Sequence, residues 1–247
     1  MTYCVAMKLD SGMVFASDSR TNAGIDNISK FGKMRVFARA GQRVIVTLSA
    51  GNLSITQSAL NLLEQRARTH PEAPGIWNAI SLYDIAGLLG EAMREVKNRD
   101  GEFLRQNNID ASASFIVGGQ IAGETQRLFQ VYSEGNFIEA SLETPYFQIG
   151  EIKYGKPIID RILSPATSLT EATQCTLVSF DSTMRSNVSV GLPIDLLIYR
   201  NDSLNADTQQ RIEDGDPYFS QLAACWSEGL RGVFVQLPKP QWLVPNG

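Results

Sequence analysis

Histidine is almost missing from this 247-residue chain, with His70 the single one. A Ser-His-Asp or Cys-His catalytic arrangement therefore has little to build on, and His70, in the Pro-rich stretch His70-Pro71-Glu72-Ala73-Pro74-Gly75, reads as a surface residue of a loop. Cysteine is scarce as well. Cys4, Cys175 and Cys225 are odd in number and have no Cys-x-x-Cys spacing, which supports neither a disulfide framework nor a zinc site. No apolar run reaches the 18 or so residues of a membrane-spanning helix, and Lys8 and Asp10 interrupt the first apolar segment, so it does not read as a secretory signal. Positive charge is not in excess. The net charge is -4, and Lys and Arg are scattered without forming a stripe, so a nucleic-acid partner is not expected. Linker composition is missing too, which favours one domain over residues 1–247, with a Pro-containing arm at about 232–247. A reducing cytoplasm is the expected compartment, with no cofactor and no metal.

What the chain does have begins at its second residue. If Met1 is removed, Thr2 carries a hydroxyl nucleophile and a free α-amine within reach of it. An α-amine with an unperturbed pKa of about 7.7–8.0 is partly unprotonated near neutral pH and can act as a general base toward that hydroxyl. One residue then contains an acyl-transfer centre. Residues 2–18 read as two β runs joined at Asp10-Ser11-Gly12, a hairpin that returns Asp18 close to Thr2. A second β pair, Met34 to Ala38 and Arg43 to Ser49, has Lys33 at its entrance. A cation there favours deprotonation of the amine and hydroxyl, and Asp18 would hold it in place. Cys4, two residues beyond Thr2 on the same side of a strand, is a wall of the site or a core thiol.

Helical periodicity follows through Ile55, Ala59, Leu60, Leu63 and Ala67, and again after Ser81 through Leu82, Ile85, Leu89, Met93 and Val96. Residues 113–121 and 127–132 are β-like, and a further strand pair is expected at Phe137 to Ala140 and Tyr146 to Ile149. Lys156-Pro157 opens a helix, Ser168 with Glu171 forms a capping box for the next, and 193–199 is one more strand. Asp216-Pro217 begins a last helix, and the segment from Gly232 is expected to lie beyond it. These patterns alone support an α+β fold in one domain.

A terminal Thr, a hairpin ending on Asp18-Ser19-Arg20 and a Gly32-Lys33 at the next strand resemble the β-type subunits of proteasomes and the bacterial HslV peptidase, which are N-terminal-nucleophile hydrolases. Within them, Met-Thr-Tyr-Cys-Val at the start, Ser-Asn-Val-Ser-Val-Gly-Leu-Pro-Ile-Asp-Leu at 186–196, and Trp-Ser-Glu-Gly-Leu-Arg near the end resemble the bacterial ancestral beta subunit family, Anbu. The resemblance covers essentially the whole chain and implies a four-layer αββα sandwich. It also implies a threonine-type peptidase or amidase with Thr2, Asp18, Lys33 and Ser189 as catalytic residues, and Arg20, Lys30, Ser49, Gly51, Glu151 and Asn187 as supporting ones. The spacing from Asp18 to Lys33 is one residue shorter than in typical proteasome β subunits, which leaves Lys30 as the alternative to Lys33. Where the family carries a Ser in a Ser-Gly-Ser-Gly turn, this chain has Ile149-Gly150-Glu151-Ile152. In the family's Asp-x-x-Ser segment, Ser189 matches the serine and Ser186 or Asn187 replaces the aspartate. Asp181, nearby in sequence, reads as a solvated residue at a helix end, with compensation for the replaced aspartate as the alternative. The backbone oxyanion donor is expected near Leu48 to Gly51.

The resemblance further implies self-assembly into a ring or spiral, with a peptide or protein substrate, and leaves open whether an unfoldase partner exists. Two other functions fit the same residues: a ring or spiral scaffold of this fold with little hydrolytic activity, and an amidase for a small non-peptide amide.

Overall fold

The computed structural model describes residues 2–22, 28–206, 208–240 and 242; Met1, and with it the expected removal of that residue, lies outside them. The chain divides into two compact units, Met1–Asp214 and Gly215–Gly247.

The first unit is built on the expected hairpins. β1 (Tyr3–Leu9) and β2 (Gly12–Asp18) pair antiparallel, as do β5 (Met34–Arg39) and β6 (Arg43–Gly51). Between them lies a short ribbon of β3 (Arg20–Asn22) and β4 (Ile28–Lys30). Helices α1 (Leu53–Thr69) and α2 (Leu82–Gln106) follow. Asn52 caps the first by accepting from the Ser54 and Ile55 N–H groups, and Ser81 caps the second by accepting from Asp84. Then come β7 (Ala113–Ile121), β8 (Arg127–Val131), β9 (Phe137–Glu139), β10 (Tyr146–Gly150), α3 (Lys156–Ile162), α4 (Leu169–Ser186), β11 (Ile194–Arg200) and β12 (Thr208–Ile212). The Ser168–Glu171 capping box at the start of α4 forms in both directions.

The strands make two five-stranded antiparallel sheets, in the orders β10-β1-β2-β11-β12 and β5-β6-β7-β8-β9. Side chains alternate across each strand, so Cys4, Ala6, Met13 and Phe15 of the first sheet share one buried cluster with Val44, Val46, Leu48 and Ile116 of the second. The other face of the second sheet, with Ile45, Phe115, Val117 and Phe129, packs on Ile55, Ala59, Ile85, Leu89 and Met93 of α1 and α2. Each such side chain contributes about 1.5–3 kcal/mol on full burial. On the first sheet's other face, the Tyr3 ring meets Phe180 of α4 at 4.6 Å.

Three expectations are corrected. The strands at 137 and 146 are not partners: β9 pairs with β8 and β10 with β1, so the chain changes sheets between them. β12, with four of five residues exposed, and the β3–β4 ribbon carry too little apolar pattern to have been read as strands. In the second unit, α5 (Pro217–Gln236) continues past Gly232, so the segment beyond the helix begins five residues later than expected, at Leu237.

Candidate active site

The site forms where β1 starts. The Tyr3 N–H donates to Asp18 Oδ1 at 3.0 Å, which ties the peptide after Thr2 to the end of β2. Lys33 Nζ donates to the same Oδ1 at 2.7 Å and to the Arg20 carbonyl at 2.6 Å. Asp18 and Lys33 are 0% and 5% exposed, so the pair is sealed from water. Burial pushes the Asp18 carboxyl above the ordinary carboxylate range, opposed by the Lys33 ammonium and the Tyr3 N–H. The Gly191 N–H opposes it too, as the smallest of these causes. Lys33, not Lys30, therefore sits at Asp18; Lys30 is exposed and lies 3.9 Å from Glu213.

Ser49 holds the other side of Lys33. Its N–H donates to the Lys33 carbonyl at 3.0 Å and its hydroxyl to the same oxygen at 3.4 Å. Cys4 is buried and donates its thiol to the Ser49 carbonyl at 3.5 Å, which makes it both a core residue and a neighbour of the site. Burial and the charge of Asp18 push that thiol upward, away from thiolate. Gly51 ends β6 at φ +100°, where a Cβ would lie 2.3 Å from the Ser112 carbonyl oxygen, so only glycine fits this bend. A cavity of about 280 Å³ opens beside Lys33 and Ser49, walled by Arg35, Thr56, Gln57 and Asn61.

On the opposite side, β10 continues the ladder to Thr2. The last paired residues are Tyr3 and Gly150, and one step further the Glu151 N–H donates to the Thr2 carbonyl at 2.7 Å. Gly150 has φ +85°, and a Cβ there would meet the Thr2 carbonyl oxygen at 1.9 Å, so this close approach requires glycine. Glu151 is buried, and its Oε2 accepts from Asn187 Nδ2 at 2.9 Å. Asn187 Oδ1 in turn accepts from the Ser189 N–H at 3.0 Å. The Arg20 guanidinium donates to the Val188 carbonyl at 2.9 Å and so pins the same loop. No hydrogen bond joins the Ser189 hydroxyl to Asp18 or Lys33.

The expected residues thus fall into two groups flanking Thr2, Asp18–Lys33–Ser49 and Glu151–Asn187–Ser189, with Arg20 touching both. Asp181 differs from expectation: it is buried and paired with Arg185 at 3.0 Å, because its position on α4 turns it inward. His70 is exposed, 3.5 Å from Glu72, as its loop suggested. Sequence reading missed the Tyr3 hydroxyl, which accepts from Gln148 Nε2 at 2.6 Å and meets Ser179 Oγ at 2.9 Å under the start of β1. Its phenol is pushed upward by burial. Among the described residues no group of His, Cys, Asp and Glu side chains is arranged to hold a metal ion, and no helix is long and apolar enough to cross a membrane.

No family model and no curated protein matches this chain. Solved structures do. Anbu (ancestral beta-subunit) from Yersinia bercovieri is 53% identical over 97% of this chain and 99% of its own, with a TM-score of 0.91. The helical assembly of the Anbu complex from Pseudomonas aeruginosa is 51% identical over 96% and 98%, also at 0.91. A Gly-1 mutant of Anbu from Hyphomicrobium sp. strain MC1 is 45% identical over 98% and 100%, again at 0.91. With this identity over nearly the full length of both chains, the chain belongs to the proteasome-β-like Anbu (ancestral beta-subunit) family.

Proposed function

We propose that this protein is a cytoplasmic threonine-type peptidase or amidase, assembled from identical subunits, whose nucleophile is Thr2 after loss of Met1. The observation that carries this reading is the buried oxygen shared by Lys33 and the Tyr3 N–H, one residue from Thr2. It ties the peptide that follows Thr2 to the same carboxylate oxygen that holds the Lys33 ammonium. Thr2 Oγ attacks the scissile carbonyl while the Thr2 amine takes the hydroxyl proton and later passes it to the leaving amine. Water then hydrolyses the acyl-enzyme on Thr2. Lys33 lowers the cost of the developing alkoxide, Asp18 holds Lys33, and Ser189 with Asn187 shapes the loop beside the amine. The two sheets, with α1 and α2 outside one and α4 outside the other, are read as the four layers of an αββα sandwich.

Self-assembly is supported by α5. Phe219 is buried, whereas Leu230, Val233, Phe234 and Leu237, on the same stripe by helical spacing, are exposed. A peptide or protein is the substrate, its side chain entering the cavity beside Lys33 and Ser49; the unfoldase stays open.

One observation favours the second reading, a scaffold with little hydrolytic activity. The Ser49 N–H, in the stretch expected to supply the oxyanion donor, is occupied by the Lys33 carbonyl. A lost donor of this kind costs about 2.7–4 kcal/mol of transition-state stabilisation. By strand alternation the Gly51 N–H points to the same edge of β6 and is the donor in the catalytic reading. The test is labelling with a β-lactone, followed by intact mass. The catalytic reading expects loss of Met1 and one acyl adduct that Thr2→Ala removes. Retained Met1, or no adduct on Met1-free protein, leaves the scaffold.

A further inference from the structure

The reaction above needs a group that holds the Thr2 amine while it carries the transferred proton; Asp18 is committed through its Oδ1 to Lys33 and the Tyr3 N–H, with its buried Oδ2 left without a hydrogen-bond partner among the described residues. Extending the β1–β10 register by one step places Thr2 directly opposite Glu151, and the 2.7 Å bond from the Glu151 N–H to the Thr2 carbonyl agrees with that pairing. Directly opposed residues in an antiparallel ladder project their side chains from the same face, with Cβ atoms about 4.5–5.5 Å apart. Glu151 is 8% exposed, one carboxylate oxygen is fixed by Asn187, and Asn187 is itself fixed on the Ser189 N–H. A buried carboxylate held by a neutral amide leaves a negative charge seeking a cation. Three cations near this site are engaged elsewhere: Lys33 on Asp18, the Arg20 guanidinium on the Val188 carbonyl, and Arg185 on Asp181; Lys153, two residues beyond Glu151, is exposed.

We propose that Glu151, oriented by Asn187, is the positioning residue for the Thr2 α-amine in the Met1-free protein, binding it as the ammonium. The proton leaves Thr2 Oγ, forms an N–H bond on the amine, and the resulting ammonium is held against the Glu151 carboxylate until the proton passes to the leaving amine. Glu151 itself gains and loses no proton. The inference rests on Thr2 being the first residue, yet its test does not depend on turnover.

A nearby carboxylate favours the charged form of an amine and raises its pKa, whereas the Lys33 ammonium pulls it down. The measurement is the pH dependence of Thr2 α-amine acetylation by trace acetic anhydride, read by peptide mass spectrometry on the assembled, Met1-free protein. Glu151→Gln is expected to shift the amine titration down by roughly one pH unit, on the scale of a close charge partner. The exchanged pair Glu151→Gln/Asn187→Asp is expected to move it back up, since it returns a carboxylate to the same contact, and a purely structural role would not produce that recovery. An amine that titrates within a few tenths of a unit of the wild type in Glu151→Gln, or an exchanged pair that stays with the single variant, overturns the proposal. If the amine shifts as expected but the β-lactone adduct never forms, the catalytic reading fails and the assignment of Glu151 stands.

Discussion

The rim of the first unit and helix α5 of the second reverse the usual distribution of side chains in opposite ways. At the rim, charged groups are buried: Asp18, Lys33 and Glu151 lie out of water, each in a specific hydrogen bond. On α5, large apolar groups are exposed, with Phe234 at 73% and Val235 at 79%. Buried polar and exposed apolar residues are the informative exceptions to burial statistics, because each costs free energy unless something compensates. At the rim the compensation lies within the chain, as paired charges and backbone donors. On α5 the described residues supply none along Leu230 to Gln236, which under the proposed function is the face offered to another subunit. The comparison separates buried charges that find partners within the first unit from apolar groups that lie exposed on the second.

The largest effect should come from breaking the rim's internal pairing. Lys33→Ala leaves Asp18 buried without its cation and is expected to cost about 3–5 kcal/mol in urea unfolding, whereas Asp18→Asn with Lys33→Met is expected to regain much of it. A cost under about 1 kcal/mol for Lys33→Ala would mean the pair is not sealed. A smaller effect on subunit stability is expected from α5: Val233→Asp with Phe234→Asp should dissolve the assembly in sedimentation velocity while shifting unfolding of the separated subunit by less than about 1 kcal/mol. An unchanged sedimentation coefficient would take α5 out of the interface.

Removing the capping residue of α4 should be milder still, with Ser168→Ala costing about 1 kcal/mol in the same unfolding experiment. The effect confined to the narrowest conditions, alkaline pH, concerns the thiols. Burial pushes Cys175 up to about 11, against about 9 for a free thiol, so its contribution to stability is full below pH 9 and is lost as pH rises toward 11. Cys175→Ala should flatten part of that alkaline loss, and exposed Cys225 should react with iodoacetamide well before Cys4 or Cys175.

Much of the rim was legible because its parts lie close together in sequence. The Asp10-Ser11-Gly12 turn returns Asp18 to Thr2, and Lys33 stands at the entrance of the next hairpin, only 15 residues from Asp18. The Ser168–Glu171 box and the α1 and α2 stripes were readable for the same local reason. The Glu151–Asn187 contact was not, because it joins the residue after β10 to the C-terminal cap of α4, 36 positions on, a tertiary meeting that no local pattern encodes. The change of sheets between β9 and β10 was hidden likewise, since a strand's period says which face is apolar and nothing about its partner. The length of α5 was underestimated because Gly229 and Gly232 weaken helix propensity, while the apolar stripe that continues through them needs a partner to justify it.

The most direct test of the central claim, that the first residue of the processed chain carries both nucleophile and base, is treatment with a peptide epoxyketone followed by fragment mass spectrometry. Such a reagent closes a ring only when one residue offers both its hydroxyl and its free amine. The account predicts a single doubly attached adduct on Thr2, present in the wild type and missing in Thr2→Ala. Labelling confined to lysines or cysteines, with Thr2 unmodified on Met1-free chains, would contradict it.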